Sequence, residues 1–160
     1  MEWLIRCSTE GEPLEKVSRD KCHDGTKILH PVVHLQIIDR YGRFLLQKRS
    51  PVKIIQPYKW DTAVGGHVAW GESFSEALRR ESLEEIGFFP SRACFKTRYI
   101  WESACEREFV SLYTAEYHEE PIQFDSREIT EVRFWDKDEI TAQQGIFTEN
   151  LLYELSHYFS

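Results

Sequence analysis

The sequence predicts an α/β domain built on a mixed β-sheet with helices on its faces. Three observations predict it. Short β-rich runs stand on both sides of one well-capped helix. The chain closes on a segment with apolar residues at helical spacing. Its 160 residues suit a single domain, 1–160, around one hydrophobic core.

The elements follow in order. Glu2 to Cys7 alternates loosely and reads as a strand. Turns are expected at Glu10 to Pro13 and at Asp24-Gly25. Val32 to Ile38 (VVHLQII) is a strand ended by Asp39 to Gly42, and Phe44 to Gln47 pairs back on it as a hairpin. Trp60 to Val64 is a short strand running into Gly65-Gly66. Ser73 with Glu76 makes a capping box. The helix it opens runs to Ile86 and stops at Gly87, and Pro90 blocks its resumption. Strands follow at Ala93 to Glu102, Glu106 to Tyr117 and Glu131 to Trp135. From Phe147 to Phe159, the residues Phe147, Leu151, Leu152, Leu155 and Phe159 form the stripe of a helix packed on the sheet.

Composition narrows the function. The formal net charge is -7, and no Lys/Arg block is present, which argues against a nucleic-acid polymer as partner. An acidic protein can still bind polyphosphate when metal ions mediate the contact. No apolar run approaches a membrane span. Met1 to Thr9 lacks a basic region followed by an apolar stretch, so no signal peptide is expected. Cys7, Cys22, Cys94 and Cys105 form no C-x-x-C pair and read as reduced thiols of a cytoplasmic protein.

The helix after Ser73 carries the chemistry. Advancing about 100° per residue from Phe74, Leu78 falls near ~40°, Glu85 near ~20°, Glu81 near ~340° and Glu84 near ~280°. Glu81 and Glu85 thus lie in the stripe that faces the protein, where bare carboxylates are costly. A solvated, ion-paired helix face would explain Glu84 with Arg80, but not those two. Clustered carboxylates beside a phosphate pocket suit Mg²⁺ or Mn²⁺.

The full spacing is Gly66, Glu72, Arg80-Glu81, Glu84-Glu85 and Gly87-Phe88. It closely resembles the Nudix box, here 66–88, and departs from it at Ser82, where the family usually has an aliphatic residue. The resemblance implies a Nudix-like α/β/α sandwich and a hydrolase of phosphoanhydride bonds in a small-molecule diphosphate, such as a nucleoside diphosphate derivative. It implies that Glu81, Glu84 and Glu85 hold the metal, with the Gly66 carbonyl facing it. Glu72 would complete the site or steer the helix, and Arg80 would orient Glu84. The metal would polarise a phosphoryl oxygen and lower the pKa of the attacking water. The general base varies within the family and stays open. A homodimer would also suit the family, though the sequence carries no sign of one.

A second resemblance extends further along the chain. His23, His30, the run WDTAVGGH ending at His67, and Glu106-Arg107-Glu108 are similar to isopentenyl-diphosphate isomerase, a relative of the Nudix hydrolases. Its metal site implies a second set of ligands at His23, His30, His67, Glu106 and Glu108. On a strand, Glu106 and Glu108 would share one face. The isomerase has a cysteine immediately before its Gly-His, and Gly65 stands there. Glycine cannot donate the proton that allylic isomerisation needs. The complete set of box glutamates also favours hydrolysis.

Lys48, Arg49, Lys53 and Lys59 are candidate polyphosphate contacts near the loop entering the site, each with the alternative of a solvated surface charge. Tyr58, Trp60, Trp70 and Trp101 are candidates for stacking on a base, with core packing the plainer account of Trp60. His34, inside the strand VVHLQII, reads as structural, and His118 and His157 have no evident partners.

Overall fold

A computed structural model describes residues 2–53 and 56–160. The chain begins with a hairpin, β1 (Trp3–Cys7) and β2 (Pro13–Ser18), followed by the one-turn helix α1 (Arg19–Cys22). A seven-stranded sheet is built from β3 (Leu29–Ile38), β4 (Phe44–Arg49), β5 (Trp60–Thr62), β6 (Val64–His67), β7 (Cys94–Glu102), β8 (Arg107–Glu116) and β9 (Ile129–Trp135). Its order is β5-β4-β3-β8-β7, with β6 added to β3 and β9 to β4. Among the described strands only β3 and β8 pair in parallel, so the sheet is mixed as expected.

Helix α2 (Phe74–Ile86) covers one face, while α3 (Lys137–Ala142) and α4 (Glu149–Tyr158) cover the other. Alternation along β3 explains the layering. Val33, Leu35 and Ile37 pack with Ala77, Leu78 and Ile86 of α2 in one core. Leu46 and Phe44, from the opposite side of β4 to Leu45, pack with Ile140, Leu151 and Leu155 in a second. The result is an α/β/α sandwich. No helix among the described residues is long and apolar enough to cross a membrane.

The signals around α2 act as the sequence indicates. Ser73 accepts from the Glu76 amide and Glu76 from the Ser73 amide, closing the capping box. Gly87 ends the helix in the left-handed region at φ 82°, which glycine adopts without strain. Ser82, buried where an aliphatic residue is usual, donates its hydroxyl to the Leu78 carbonyl at 2.7 Å, so no polar group is orphaned.

Two expectations change. The hairpin of Val32 to Ile38 with Phe44 to Gln47 closes on a single register pair, Ile38 with Phe44. Beyond it the strands part: β3 takes β6 and β8, and β4 takes β5 and β9. The expected strand Trp60 to Val64 is correspondingly two. Trp60–Thr62 pairs with β4, and Val64–His67, which includes both glycines, pairs with β3. The backbone at the switch is satisfied by Gln47, whose amide donates to the Ala63 carbonyl at 2.9 Å. The hairpin β1–β2 and α1 were not read in full from the sequence. They pack through Leu4, Val17 and Cys22, with Cys22 fully buried. Burial pushes the Cys22 and Cys7 thiols up to about 11.

Candidate metal centres and active site

Strand β6 has chemistry on both faces. Gly66 faces α2, and a Cβ there would stand 2.5 Å from either Glu81 carboxylate oxygen. The missing side chain is therefore what lets Glu81 lie against the strand. Glu81 exposes 14 % of its side chain and Glu84 exposes 59 %. The angular reading of the helix thus separates an inward Glu81 from an outward Glu84.

Glu85 is the deepest of the three. Gln47 donates to its Oε1 at 2.7 Å, while its Oε2 is buried without a hydrogen-bond partner among the described residues. Burial first, and then the charge of Glu81, push the Glu85 carboxyl well above the ordinary carboxylate range. Burial also raises Glu81, opposed by its neighbours Glu85 and Arg80. Two largely buried carboxyls, one of them with an orphaned oxygen, form a donor set that fits a hard divalent cation. Glu81, Glu84 and Glu85 line a cleft of about 320 Å³ whose other wall is Asp125, Arg127 and Glu128.

Arg80 has closer partners than the expected Glu84. Its Nε and Nη2 fork onto the two Glu72 oxygens at 2.8 and 2.9 Å. Nη1 reaches Glu81 at 2.8 Å, and Nη2 also donates to the His67 carbonyl at 3.0 Å. Its approach to Glu84 is only 3.5 Å. Arg80 therefore orients Glu81 and ties the helix to β6, with Glu72 as its counter-charge. Glu72 also accepts from the Ala69 amide at 3.0 Å, and Arg80 holds its carboxyl below the ordinary range.

The other face of β6 carries His67, and around it gathers the second set of residues. The rings of His23, His30 and His67 lie 5.3 to 5.6 Å apart, centroid to centroid. Ligand atoms from these three and from Glu106 all lie within 4.8 Å of one another. The fold explains the convergence. His30 and Glu108 are register partners on parallel β3 and β8, so they share a face. His67 arrives from β6 beside Val32, and His23 caps α1.

The ring nitrogens are pre-oriented. His23 Nδ1 sits 2.9 Å from the Arg19 carbonyl, and His30 Nδ1 sits 2.8 Å from the Ile28 carbonyl. Both place Nε2 inward. His23 Nε2 is 3.0 Å from Glu106, and His30 Nε2 is 3.9 Å from Glu106 and from Glu108. His30 Nε2 is buried without a hydrogen-bond partner among the described residues. Burial, then His30, holds His67 well below its ordinary value. Burial, then Glu106, pushes the Glu108 carboxyl up to about 8. His30 and His67, which burial holds towards the neutral form, and His23, which Glu106 raises, gather beside carboxylates as a donor set that fits a transition ion.

The basic residues are more scattered. Lys53 pairs with Glu128 at 2.7 Å, on the rim of the carboxylate cleft. Arg49 faces Asp61 at 3.5 Å, and Lys59 donates to the Gly145 carbonyl, so neither lines that cleft. Lys48 is paired in register with Trp60 and Glu131. Trp60 is core, packed edge-on to Trp135. Tyr58 and Trp70 are exposed, and Trp101 packs on Tyr153 at 5.3 Å. His157 stacks on Tyr153 at 4.0 Å, and exposed His118 lies 3.8 Å from Glu116.

Several residues of the site escaped the sequence reading. Gln47, Asp125, Arg127 and Glu128 reach it from β4 and from the segment before β9, and no local pattern marked them. His34 is more than a strand residue. Its Nδ1 lies 2.6 Å from Glu154, a fully buried acid on α4.

Comparison with known proteins agrees with this architecture. A family model described as the NUDIX domain matches residues 28–154. An uncharacterised Nudix hydrolase of Yersinia pestis is 29% identical, over 98% of this chain and 85% of its own length. A prenyl-diphosphate phosphatase of Methanosarcina mazei is 33% identical, over 84% of this chain and 81% of its own. A crystal structure of a Deinococcus radiodurans protein shares the fold with a TM-score of 0.85 at 19% identity, covering 99% of this chain and 100% of that one.

Proposed function

The chain belongs to the NUDIX domain family, as a hydrolase acting on phosphoanhydride bonds, and from this we propose that it is a divalent-metal-dependent enzyme whose substrate is a small diphosphate. The observation that carries the reading is the largely buried Glu81–Glu85 pair with its orphaned Glu85 oxygen, opening on a cleft. The similarity to a prenyl-diphosphate phosphatase puts prenyl diphosphates first among candidate substrates, with nucleoside diphosphate derivatives next.

Glu81, Glu84 and Glu85 would hold Mg²⁺ or Mn²⁺. When bound, the ion supplies Lewis-acid polarisation of a phosphoryl oxygen and a more acidic attacking water. The chain's own residues do the rest. Arg80 fixes Glu81 and the helix, and Gln47 fixes Glu85. Glu84 and Glu128, on facing walls of the cleft, are carboxylates within reach of a proton released there. Arg127, beside Glu128, brings a positive charge to the cleft, its guanidinium forked onto Asp125 at 3.1 and 3.0 Å.

His23, His30, His67, Glu106 and Glu108 would hold a second, transition ion. That site is what favours isomerase-like chemistry as the alternative. Gly65 opposes it, because no proton donor occupies that place, and the kinship with the isomerase rests on the residue pattern alone.

The test is Glu85→Gln, assayed with Mg²⁺ or Mn²⁺ on prenyl diphosphates, nucleoside diphosphate derivatives and isopentenyl diphosphate. Hydrolysis should fall by about two orders of magnitude or more, with the far-UV spectrum unchanged. Equal activity in the variant removes Glu85 from the mechanism. Isomer formation without phosphate release would favour the alternative.

A further inference from the structure

The histidine set is built differently from the carboxylate set. Its donor atoms come from four separate segments: His23 ends α1, His30 lies on β3, His67 ends β6 and Glu106 precedes β8. All four atoms lie within 4.8 Å of one another. Glu108 Oε2 is a further protein oxygen, 3.9 Å from His30 Nε2. His30 is fully buried, and His23 and Glu106 show only 24 % and 13 % of their side chains. Protein thus supplies every position that a four-coordinate ion takes. Structural metal sites are closed in this way, whereas catalytic ones keep a position open for water or substrate. The carboxylate set, with Glu84 exposed on a cleft, is the open one.

One of the four ligands stands apart. His23 lies before the span 28–154 that matches the NUDIX domain. The β1–β2 hairpin ahead of it is anchored, because Ile5 and Cys7 join the core that α2 covers. The segment after the hairpin is held more lightly. Cys22 of α1 packs on Leu4 and Val17 of the hairpin itself. Among the described residues, the polar ties from residues 19–27 to the sheet are His23 with Glu106 at 3.0 Å and Lys27 with Glu102 at 3.1 Å. The second pair is open to solvent and worth little.

The same segment aims the ligands. The Arg19 and Ile28 carbonyls, at its two ends, engage Nδ1 of His23 and of His30 and turn both Nε2 atoms inward. Ordering these two ligands and ordering residues 19–28 are therefore one event.

We propose that the histidine centre is a structural staple: a transition ion such as Zn²⁺, held by protein ligands alone, pins the 19–28 segment to β3, β6 and the turn before β8 and takes no part in the chemistry at the carboxylates. A metal clip between positions so far apart in sequence closes a long loop, and its binding energy becomes folding energy for the segment. This rests on the reading of these residues as metal ligands and is independent of the substrate.

Trypsin reads the staple directly, because Arg19, Lys21 and Lys27 are cleavage points inside the segment. The full chain is stripped with a chelator, desalted and titrated with Zn²⁺ by calorimetry, with Mg²⁺ in excess to occupy the carboxylates. Cleavage is then followed by mass spectrometry with and without Zn²⁺. Arg40, exposed beyond the other end of β3, is the internal control. Zn²⁺ at about ten times its dissociation constant should slow cleavage after Lys21 and Lys27 by about tenfold and leave Arg40 unchanged. In His23→Gln and in Glu106→Gln, cleavage with Zn²⁺ should return to the stripped rate. The second variant leaves the segment's own sequence intact, so the test stays valid if the first disturbs α1. Bound Zn²⁺ without protection of Lys21 and Lys27 overturns the staple. So does conversion of isopentenyl diphosphate to its isomer that depends on Zn²⁺ at these residues. A wild type that binds no Zn²⁺ overturns the metal reading of the histidines as well, and leaves the carboxylate reading standing.

Discussion

Glu81 lies against the bare α-carbon of Gly66, so close that a Cβ would stand 2.5 Å from its carboxylate oxygens. The obstructed atoms are the far end of a flexible side chain, so Gly66→Ala should displace the carboxylate and leave the fold intact. A displacement of about 1 Å in a catalytic group costs on the order of a hundredfold in rate. Hydrolysis should fall by about that factor, with the melting temperature within a few degrees of wild type. Full activity in Gly66→Ala would show that Glu81 need not lie there.

Arg80 is a test of geometry more than of charge. Its guanidinium serves both Glu72 oxygens, Glu81 and the His67 carbonyl at once. Lysine keeps the charge but has no planar fork. Arg80→Lys should lower kcat/KM by about tenfold or more and cost about 1–3 kcal/mol of stability from unsatisfied partners. Steady-state kinetics and a denaturant titration measure both. An unchanged pair of values would make the fork dispensable.

What the sequence disclosed and what it hid follow from distance along the chain. The limits of α2 were legible because Ser73, Glu76 and Gly87 act on their own neighbours. Glu81 and Glu85 stood out because helical geometry placed them in an apolar stripe, and both are inward in the structure. The division of Trp60 to His67 into two strands was not legible. It depends on β3 and β4 parting after one pair, a relation between strands. The closer Arg80 partners were hidden for a similar reason: the i,i+4 Glu84 is the local choice and lies at 3.5 Å, but the loop carries Glu72 back under the guanidinium. The His34–Glu154 pair spans 120 residues and has no local signal at all.

The histidine site makes a prediction separable from the carboxylate site. His23 and His30 present buried or half-buried Nε2 atoms to Glu106, and nothing else satisfies His30 Nε2 among the described residues. Elemental analysis of protein purified without chelator should show about one transition ion per chain, lost in His23→Ala with His30→Ala. Mg²⁺ affinity at the carboxylates should change little, because β6 separates the two faces. An unchanged metal content would reduce these histidines to hydrogen-bonded loop and strand residues.

The last prediction concerns stability against pH. His34 is faced by Glu154 on α4, by Glu108 on β8 and by Asp61 on β5, and its value rises from 6.5 to about 9. A group raised in the folded state contributes stability that is complete below its unfolded value and is lost as pH climbs through its folded value. The contribution should therefore be whole below about pH 6.5 and fade towards pH 9. Glu108, raised to about 8, adds a slope of the same sign, so the comparison must be between variants. Melting temperatures from pH 6 to pH 10, in steps of about half a unit, should fall more steeply in wild type than in His34→Gln. In Glu154→Gln the principal charge opposing burial is gone, and the decline should flatten there as well. Parallel curves for all three proteins would mean that His34 is not held as a cation by Glu154 in solution.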